Sequence, residues 1–183
     1  MNSYCINLVN VPDPLLEPVD VKSLHLLGPR IIHKKISDAD INPELVSFLR
    51  DKGLRIGLAE SFYLPKHSKL RIHEDGGIRT DALKINWVYG GEGSVMNWYN
   101  PIKAPIWAET GLGIPFRSYT EEQVELIYSC TVGCPSMLQV APPHNVVTAD
   151  SERFCVSLAI NTVSPDEMAS FTRGLEIFSE YFS

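Results

Sequence analysis

The sequence contains no apolar run that approaches the roughly 20 residues of a membrane-spanning helix. Its first ten residues, MNSYCINLVN, lack the basic region and apolar stretch of a secretion signal. No basic cluster is present, and the formal net charge is -6. These absences argue against membrane insertion, secretion and nucleic-acid binding. We therefore expect a cytoplasmic protein whose partner is a small molecule or another protein.

Closely spaced cysteine pairs are also absent. The four cysteines, Cys5, Cys130, Cys134 and Cys155, form no Cys-x-x-Cys motif. Cys130 and Cys134 could supply half of a zinc site, but no second Cys/His pair of suitable spacing accompanies them. The sequence therefore predicts reduced and mostly buried thiols.

What the chain does have is an ordinary globular composition. Of its 183 residues, 44% are hydrophobic and 21% are charged, which favours a single domain over residues 1–183. Several prolines in the first 30 residues predict an irregular lead-in over residues 1–40. Asn42 and Pro43 then predict a capped helix, which Gly53 ends.

Short runs rich in β-branched and aromatic residues follow Gly53. They cover residues 54–64, 69–75, 82–90 and 93–100, and turn residues separate them. Strands at about 8–12-residue spacing indicate an all-β sandwich or barrel, here with its core over about residues 54–161.

The second half of the chain continues this pattern. Residues 101–117 are rich in proline and glycine and predict a long loop, a candidate lid. Residues 120–130 fit both a helical capping box and a strand, and we favour the strand. Residues 136–147 and 152–160 predict the last two strands, joined by a turn at 148–151. A helix is predicted from Pro165 to about Tyr181, packed on the β core.

His73 and Asp75 end one predicted strand, immediately before two glycines. Residues i and i+2 of a strand point to the same face, so this imidazole and carboxylate can converge while Glu74 turns away. They would form two-thirds of a 2-His-1-carboxylate facial triad, a set of ligands that suits Fe(II). The ordinary alternative is a surface turn with a capping aspartate.

His144 is the candidate third ligand. It stands at the end of the apolar stretch VAPPHNVV, where Pro142 and Pro143 restrict the backbone. The alternative is that the His144 imidazole binds no metal and only forms a hydrogen bond to the backbone at the end of a strand. Arg153 opens the following strand, and an inward-facing arginine calls for an anionic ligand because burying an unpaired charge is costly. The alternatives are a salt bridge to a carboxylate of the protein or an outward-facing arginine.

These motifs resemble the Fe(II)/2-oxoglutarate-dependent oxygenases. These oxygenases have the same order of motifs: His-x-Asp, then a distal His, then Arg. Small bacterial and phage oxygenases of this type also have strands similar to four segments of this chain, ALKINW, MNWYN, PHNV and SERFCVSLAI. The resemblance covers about residues 54–160. It implies a mainly β, double-stranded β-helix (a cupin-like jelly roll) with flanking helices. It also implies that His73, Asp75 and His144 bind iron and that Arg153 pairs with the distal carboxylate of 2-oxoglutarate.

The resemblance has one departure in the cosubstrate pocket. Many members place a serine two residues after the arginine, where this chain has Cys155, and Ser157 is the candidate replacement. Asn86 and Tyr99 are further cosubstrate-pocket candidates. Because Asp75 is present, the resemblance implies hydroxylation or a related oxidation by molecular oxygen rather than halogenation.

Two other classes remain open at the level of sequence. One is a cupin-like metal enzyme that does not use 2-oxoglutarate, which would keep the three ligands and gain nothing from Arg153. The other is a non-catalytic β-sandwich binding module in which His73 and His144 lie far apart. The substrate, expected to be a small molecule or an amino-acid or peptide side chain, cannot be read from the motifs because specificity resides in loops.

Overall fold

A computed structural model describes residues 4–75, 81–109, 115–133 and 135–183. Within these ranges the chain forms two antiparallel sheets of six strands each. The strands are β1 (Cys5–Asn7), β2 (Ile32–Lys35), β3 (Leu54–Leu64), β4 (Ile72–Glu74), β5 (Leu83–Gly90), β6 (Val95–Pro101), β7 (Ile106–Glu109), β8 (Pro115–Tyr119), β9 (Val124–Cys130), β10 (Ser136–Gln139), β11 (His144–Val147) and β12 (Arg153–Thr162). The helices are α1 (Pro43–Asp51) and α2 (Phe171–Ile177), with short 3-10 turns at Val21–Leu27, Asp38–Asp40, Glu121–Gln123 and Ser179–Tyr181.

The strand order identifies the architecture. The first sheet runs β1-β10-β5-β12-β3-β2 and the second runs β7-β8-β4-β11-β6-β9. Strands β3 to β6 alternate between the two sheets, and β9 to β12 return along them. The pairs are therefore nested: β3 with β12, β4 with β11, β5 with β10 and β6 with β9. This is the double-stranded β-helix, or jelly roll, that the sequence predicts.

The first sheet buries both of its faces, and the two faces differ in polarity. Leu83, Ile85 and Trp87 of β5 join Val156, Leu158 and Ile160 of β12 in an apolar core that α1 and α2 cover. The alternate residues, including Lys84 and Asn86 of β5 and Arg153 and Ser157 of β12, are also buried. They point to the opposite face, toward the second sheet. The barrel interior therefore combines these buried polar side chains with an apolar cluster that includes Met96, Trp98 and Val146, and buried polar groups need partners.

Helix α1 forms as the sequence predicts. The Asn42 side chain accepts a hydrogen bond from the Glu44 N–H at 2.9 Å, and Pro43 occupies the first turn. Leu45 and Leu49 are fully buried against the first sheet. The helix ends before Gly53, whose φ of +72° favours glycine.

The predicted irregular lead-in over residues 1–40 is wrong in part. Strand β1 pairs with β10 at one edge of the first sheet, and β2 pairs with β3 at the other edge. The prolines lie between these two strands, where they interrupt no sheet hydrogen bonds. The lead-in thus extends the sheet at both edges.

The predicted loop over residues 101–117 is also wrong in part. Strands β7 and β8 form a hairpin that continues the second sheet beyond β4. Residues 110–114 lie outside the described residues, so a lid there stays a prediction. The 120–130 segment combines both expected patterns: Thr120 and Gln123 form a capping box over a single 3-10 turn, and strand β9 follows. The preference for a strand is confirmed.

Two later expectations need correction. Residues 136–147 form two strands rather than one, because Pro142 and Pro143 lack backbone N–H groups and the chain crosses there from the first sheet to the second. The C-terminal helix begins at Phe171 rather than Pro165. The Thr162 N–H bonds to the Glu167 carbonyl at 2.8 Å, which holds this segment in a non-helical connection. None of the described helices is long and apolar enough to cross a membrane.

Candidate metal centre and barrel interior

The fold brings His73, Asp75 and His144 together. Strands β4 and β11 are antiparallel neighbours in which His144 lies directly opposite His73. The two imidazole centroids are 4.5 Å apart. Asp75 follows β4, and its N–H donates to the Val140 carbonyl at 3.0 Å. One candidate ligand atom from each residue lies within 4.8 Å of the others, a spacing that a single metal ion can bridge.

Both imidazoles are held in the same way. The Nδ1 atom of His73 bonds to the Arg71 carbonyl at 2.8 Å, and Nδ1 of His144 bonds to the Pro142 carbonyl at 2.9 Å. A carbonyl oxygen only accepts hydrogen bonds, so each Nδ1 carries the proton. In the neutral form of each ring, Nε2 then presents the lone pair that a metal ligand requires. The Nε2 atoms lie 3.7 and 3.9 Å from carboxylate oxygens of Asp75.

A chain of buried charges supports Asp75 from the first sheet. Lys84 Nζ lies 2.8 Å from Asp75 Oδ2 and 3.5 Å from Glu60 Oε2. Glu60 in turn contacts Nε2 of His33 at 2.8 Å. Lys84 and Glu60 are both almost completely buried. The carboxylate of the candidate metal centre is thus fixed by a lysine that reaches across the barrel.

The protonation states suit a cation. Burial lowers the pKa of His144 to about 4, with a contribution from the neighbouring His73, so this imidazole is neutral at neutral pH. Burial alone would raise the pKa of Asp75, but Lys84 and the two histidines together hold it well below its usual range. Burial would likewise lower the pKa of Lys84, yet Asp75 and Glu60 raise it. No proton has to leave Asp75 or His144 before a metal binds.

The donor set fits a metal with open coordination positions. Two imidazoles and one carboxylate, presented by adjacent strands, match the ligands of the facial triad of non-haem Fe(II) sites. Asn86, two residues beyond Lys84 on the same strand face, has a buried Oδ1 without a hydrogen-bond partner among the described residues. An unsatisfied buried acceptor costs about 1–3 kcal/mol. A bound water or ligand inside the barrel would satisfy it.

Arg153 is buried on the same interior face, with 3% of its surface exposed. No carboxylate in the described part of the chain lies within ion-pair distance of its guanidinium. Its neighbour Cys155 does not balance the charge, because burial raises the pKa of that thiol and keeps it neutral. Arginine stays protonated under all ordinary conditions. The interior therefore contains one uncompensated positive charge.

A cleft of about 230 Å³ reaches Arg153 from the end of the barrel. Val146, Met96 and Val88 line its inner part. Val146 is two residues beyond His144 on the same strand face, about 6.6 Å further along the strand. On the neighbouring strand β6, Trp98 lies opposite His144 and Met96 lies opposite Val146, so these two residues have the same spacing. The cleft and the candidate metal centre thus occupy successive layers of one interior.

Of the other predicted site residues, Ser157 faces the barrel interior and Tyr99 does not. Ser157 lies opposite both Asn86 and Glu60 in the sheet register, on the face toward the metal centre. Tyr99 is not brought to this interior. Its hydroxyl donates to Asn145 Oδ1 at 3.1 Å, and Asn145 alternates with His144 onto the opposite face of β11. Glu74 also turns away as expected, where it bonds to Tyr119 and Arg117.

The structure bears on two alternatives that the sequence left open, a non-catalytic binding module and a half zinc site. The binding module with His73 and His144 far apart does not describe this fold, because their rings are in contact. The half zinc site at Cys130 and Cys134 cannot be followed, since Cys134 lies outside the described residues. Cys130 instead interacts with Cys5 of β1.

Sequence reasoning missed Lys84, Glu60 and Ser94. The signal for Lys84 was present, because a lysine inside the apolar strand ALKINW needs a buried partner. Glu60 was likewise detectable as a carboxylate inside the apolar strand LRIGLAESFYL, where it needs a buried cation. Nothing in the sequence marks Ser94, whose position beside Arg153 depends on a turn and on a non-local strand pairing.

The fold and its interior define a double-stranded β-helix protein with a candidate His-Asp-His metal centre. No protein-family model matches the sequence, and no curated protein matches it either. Similar solved structures include a protein of the 2OG-Fe(II) oxygenase family from Burkholderia pseudomallei. It is 14% identical with a TM-score of 0.40, and the match covers 80% of this chain and 59% of that chain. This chain thus matches less than two-thirds of that protein's length.

Two further structures show the range of these similarities. A cupin superfamily protein from Desulfitobacterium hafniense is 10% identical with a TM-score of 0.36, over 86% of this chain and 98% of that one. A cysteine peptidase from Thevetia peruviana latex is 12% identical with a TM-score of 0.35, over 76% and 67%. These matches do not identify the function of this chain.

Proposed function

We propose that the chain is a non-haem Fe(II)- and 2-oxoglutarate-dependent oxygenase that acts on a small molecule or an amino-acid or peptide side chain. The observation that carries this proposal is Arg153. It is a buried arginine without a carboxylate partner in the described structure, and it lies in a cleft one strand layer from the His73, Asp75 and His144 group.

Charge balance favours a dianionic cosubstrate. A divalent metal bound by Asp75 would carry one residual positive charge, and Lys84 and Glu60 balance each other. Arg153 adds a second positive charge. A ligand with two carboxylates, one at the metal and one at Arg153, would neutralise both, whereas a monoanion would leave Arg153 uncompensated.

In this proposal each residue has a definite task. His73, Asp75 and His144 would hold the iron, with Lys84 fixing the orientation of the Asp75 carboxylate. Arg153 would orient 2-oxoglutarate by pairing with its distal carboxylate. Val88, Met96 and Val146 would form apolar walls of the space between them. Iron and 2-oxoglutarate together would supply the oxidising chemistry, in which molecular oxygen oxidises a C–H bond and 2-oxoglutarate loses carbon dioxide to give succinate.

The substrate would approach from the side of His73 and Asp75. Their side chains are 22% and 24% exposed, whereas that of His144 is 5% exposed. The Phe116 ring meets His73 edge-on at 5.9 Å and forms an apolar wall beside the metal position. This wall suits an aliphatic or aromatic group next to the carbon that is oxidised.

The proposal is tested by adding Fe(II) and 2-oxoglutarate to the protein without oxygen. A weak visible charge-transfer band is expected in the wild type. It should be lost in Asp75→Ala, which cannot hold the metal. Arg153→Gln should keep Fe(II) binding, measured by calorimetry, and lose the band. Arg50→Gln, at an exposed arginine of α1, is the matched control.

The outcomes separate the proposed function from its alternative. Metal binding without a band in the wild type overturns the 2-oxoglutarate oxygenase and favours a cupin-like metal enzyme of another kind. A band that survives Arg153→Gln contradicts the anchoring role of this arginine. If the band appears as expected, a succinate-release screen over amino acids, peptides and small metabolites identifies the substrate class.

A further inference from the structure

Ser94 carries a buried hydroxyl that nothing in the described structure satisfies. It immediately precedes β6, and its N–H donates to the Gly91 carbonyl at 2.8 Å, which closes the turn between β5 and β6. Only 5% of its surface is exposed. Its Oγ has no hydrogen-bond partner among the described residues. A buried hydroxyl in this state costs about 1–3 kcal/mol unless a ligand bonds to it.

Ser94 and Arg153 meet at Gly91. A β-carbon added to Gly91 would lie 2.9 Å from both Cβ and Cγ of Arg153 and 3.1 Å from Ser94 Oγ. The three residues line the same cleft. Gly91 itself is fixed by its N–H, which donates to the Glu152 carbonyl at 2.8 Å, and has a φ of +73°. The glycine thus leaves room for the Ser94 hydroxyl near the aliphatic stem of Arg153, and both side chains line one cleft.

The pair has the chemistry of a carboxylate site. The guanidinium offers a planar pair of N–H donors, and a serine hydroxyl can donate a third hydrogen bond to the same anion. Glu92 also lines the cleft, but it is exposed and contacts solvent. Arg153 and Ser94 are the polar side chains of the cleft that are almost completely buried.

Cys155 and Ser157, the two positions considered from the sequence, are less suited than Ser94 to bind a carboxylate beside Arg153. Cys155 follows Arg153 on the same face, but a neutral thiol is a weak donor. Ser157 lies four residues from Arg153, about 13 Å along the strand, beside Asn86 and Glu60. Neither supplies a strong donor next to the guanidinium.

We propose that the Ser94 hydroxyl and Arg153 together bind the distal carboxylate of 2-oxoglutarate, so that Ser94 selects a dicarboxylate over a 2-oxo monocarboxylate. This inference rests on the proposed function. Many of the oxygenases that the sequence resembles place this hydroxyl two residues after the arginine, whereas Ser94 lies in the turn before β6.

The test compares two cosubstrates in the Fe(II)-loaded protein without oxygen. 2-Oxoglutarate and 2-oxopentanoate share the group that binds the metal, but only 2-oxoglutarate has the distal carboxylate. Their dissociation constants are measured from the charge-transfer band. Ser94→Ala should weaken 2-oxoglutarate about tenfold, as expected for one hydrogen bond to a charged group. It should leave 2-oxopentanoate unchanged.

Three further variants sharpen the comparison. Ser94→Thr keeps the hydroxyl and should retain most of the preference for 2-oxoglutarate. Ser157→Ala should leave the ratio of the two dissociation constants unchanged. Ser129→Ala, at an exposed serine of β9, is the control for a serine unrelated to the cleft. Thermal unfolding of each variant shows whether it is folded.

Each failure is distinguishable. A wild type without a band for either acid overturns the proposed function and this inference with it. A normal wild-type band with an unchanged 2-oxoglutarate constant in Ser94→Ala overturns the role of Ser94 alone. Equal weakening of both acids shows that Ser94 supports the barrel rather than the carboxylate, and a loss confined to Ser157→Ala assigns the role to Ser157.

Discussion

Lys84 forms an ion pair with Asp75, one of the three candidate metal ligands, and the two residues belong to opposite sheets of the barrel. The Nζ–Oδ2 distance is 2.8 Å, and Glu60 flanks the lysine on its other side. One lysine cation is therefore shared by the buried Glu60 and the partly exposed Asp75 while no metal is bound.

Replacing this lysine should destabilise the metal-free protein. Lys84→Met leaves the buried Glu60 and the partly exposed Asp75 without the cation they share, at an expected cost of about 3–5 kcal/mol in the free energy of unfolding. Glu60→Gln combined with Lys84→Met should lose less. Because a divalent ion restores positive charge beside Asp75, Co(II) should raise the melting temperature of Lys84→Met more than that of the wild type. Equal shifts in calorimetry would contradict this account.

Gly91 should tolerate no side chain. Gly91→Ala puts a β-carbon at a φ of +73°, which costs about 1–2 kcal/mol, and brings it to 2.9 Å from Arg153. Gly28→Ala is the matched control, since Gly28 has a φ of +84° but no atom within 4 Å of the added carbon. Denaturant unfolding should show a larger loss for Gly91→Ala. Only this variant should also weaken 2-oxoglutarate binding.

Cys130 should be reactive near neutral pH. A hydrogen bond from Cys5 lowers the pKa of the Cys130 thiol to about 7, so its thiolate fraction rises as the pH rises through this value. The rate of alkylation by iodoacetamide, measured in a Cys134→Ser background, should follow this titration. Cys5→Ala removes the donor and should move the midpoint upward. A midpoint unchanged by Cys5→Ala would show that the interaction is absent in solution.

Asp81 should hold α2 to the first sheet. Its carboxylate accepts from the Phe171 N–H at 2.7 Å, the Thr172 N–H at 3.2 Å and the Gln139 side chain at 2.8 Å. Asp81→Ala should lower the free energy of unfolding by about 1–2 kcal/mol, as for the loss of a helix cap. Asp150→Ala, at an exposed aspartate, should have little effect. Similar losses in both variants would argue against this role.

The sequence predicted the local parts of this structure well. Runs rich in β-branched and aromatic residues, separated by turn residues, located β3, β5 and β6, because such side chains favour the pleated surface of a strand. Residues i and i+2 of a strand lie on the same face. The same rule placed His73 and Asp75 on one face. The C-terminal helix was predicted too long, because Met168 pairs with Asn161 in an isolated bridge and does not continue a helical face.

The interior partners could not be predicted in the same way. Alternation along β5 puts Lys84 on the same face as Asn86, but a strand pattern does not say which face looks into the barrel when both faces are buried. Tyr99 was a further candidate for the cosubstrate pocket. The ladder irregularity between these two residues and the alternation of Asn145 take its hydroxyl elsewhere. Ser94 depends on a pairing across the barrel and has no motif.

Strand β12 supplies Arg153, follows all the other described strands in chain order and lies between β3 and β5 in the middle of its sheet. The two strands on either side of it therefore have no shared hydrogen-bonded neighbour while the chain is being synthesised. A nascent chain that ends before residue 153 contains His73, Asp75 and His144 but not the central strand that closes the barrel around them. Insertion of β12 thus completes the sheet and brings Arg153 into the barrel in a single step.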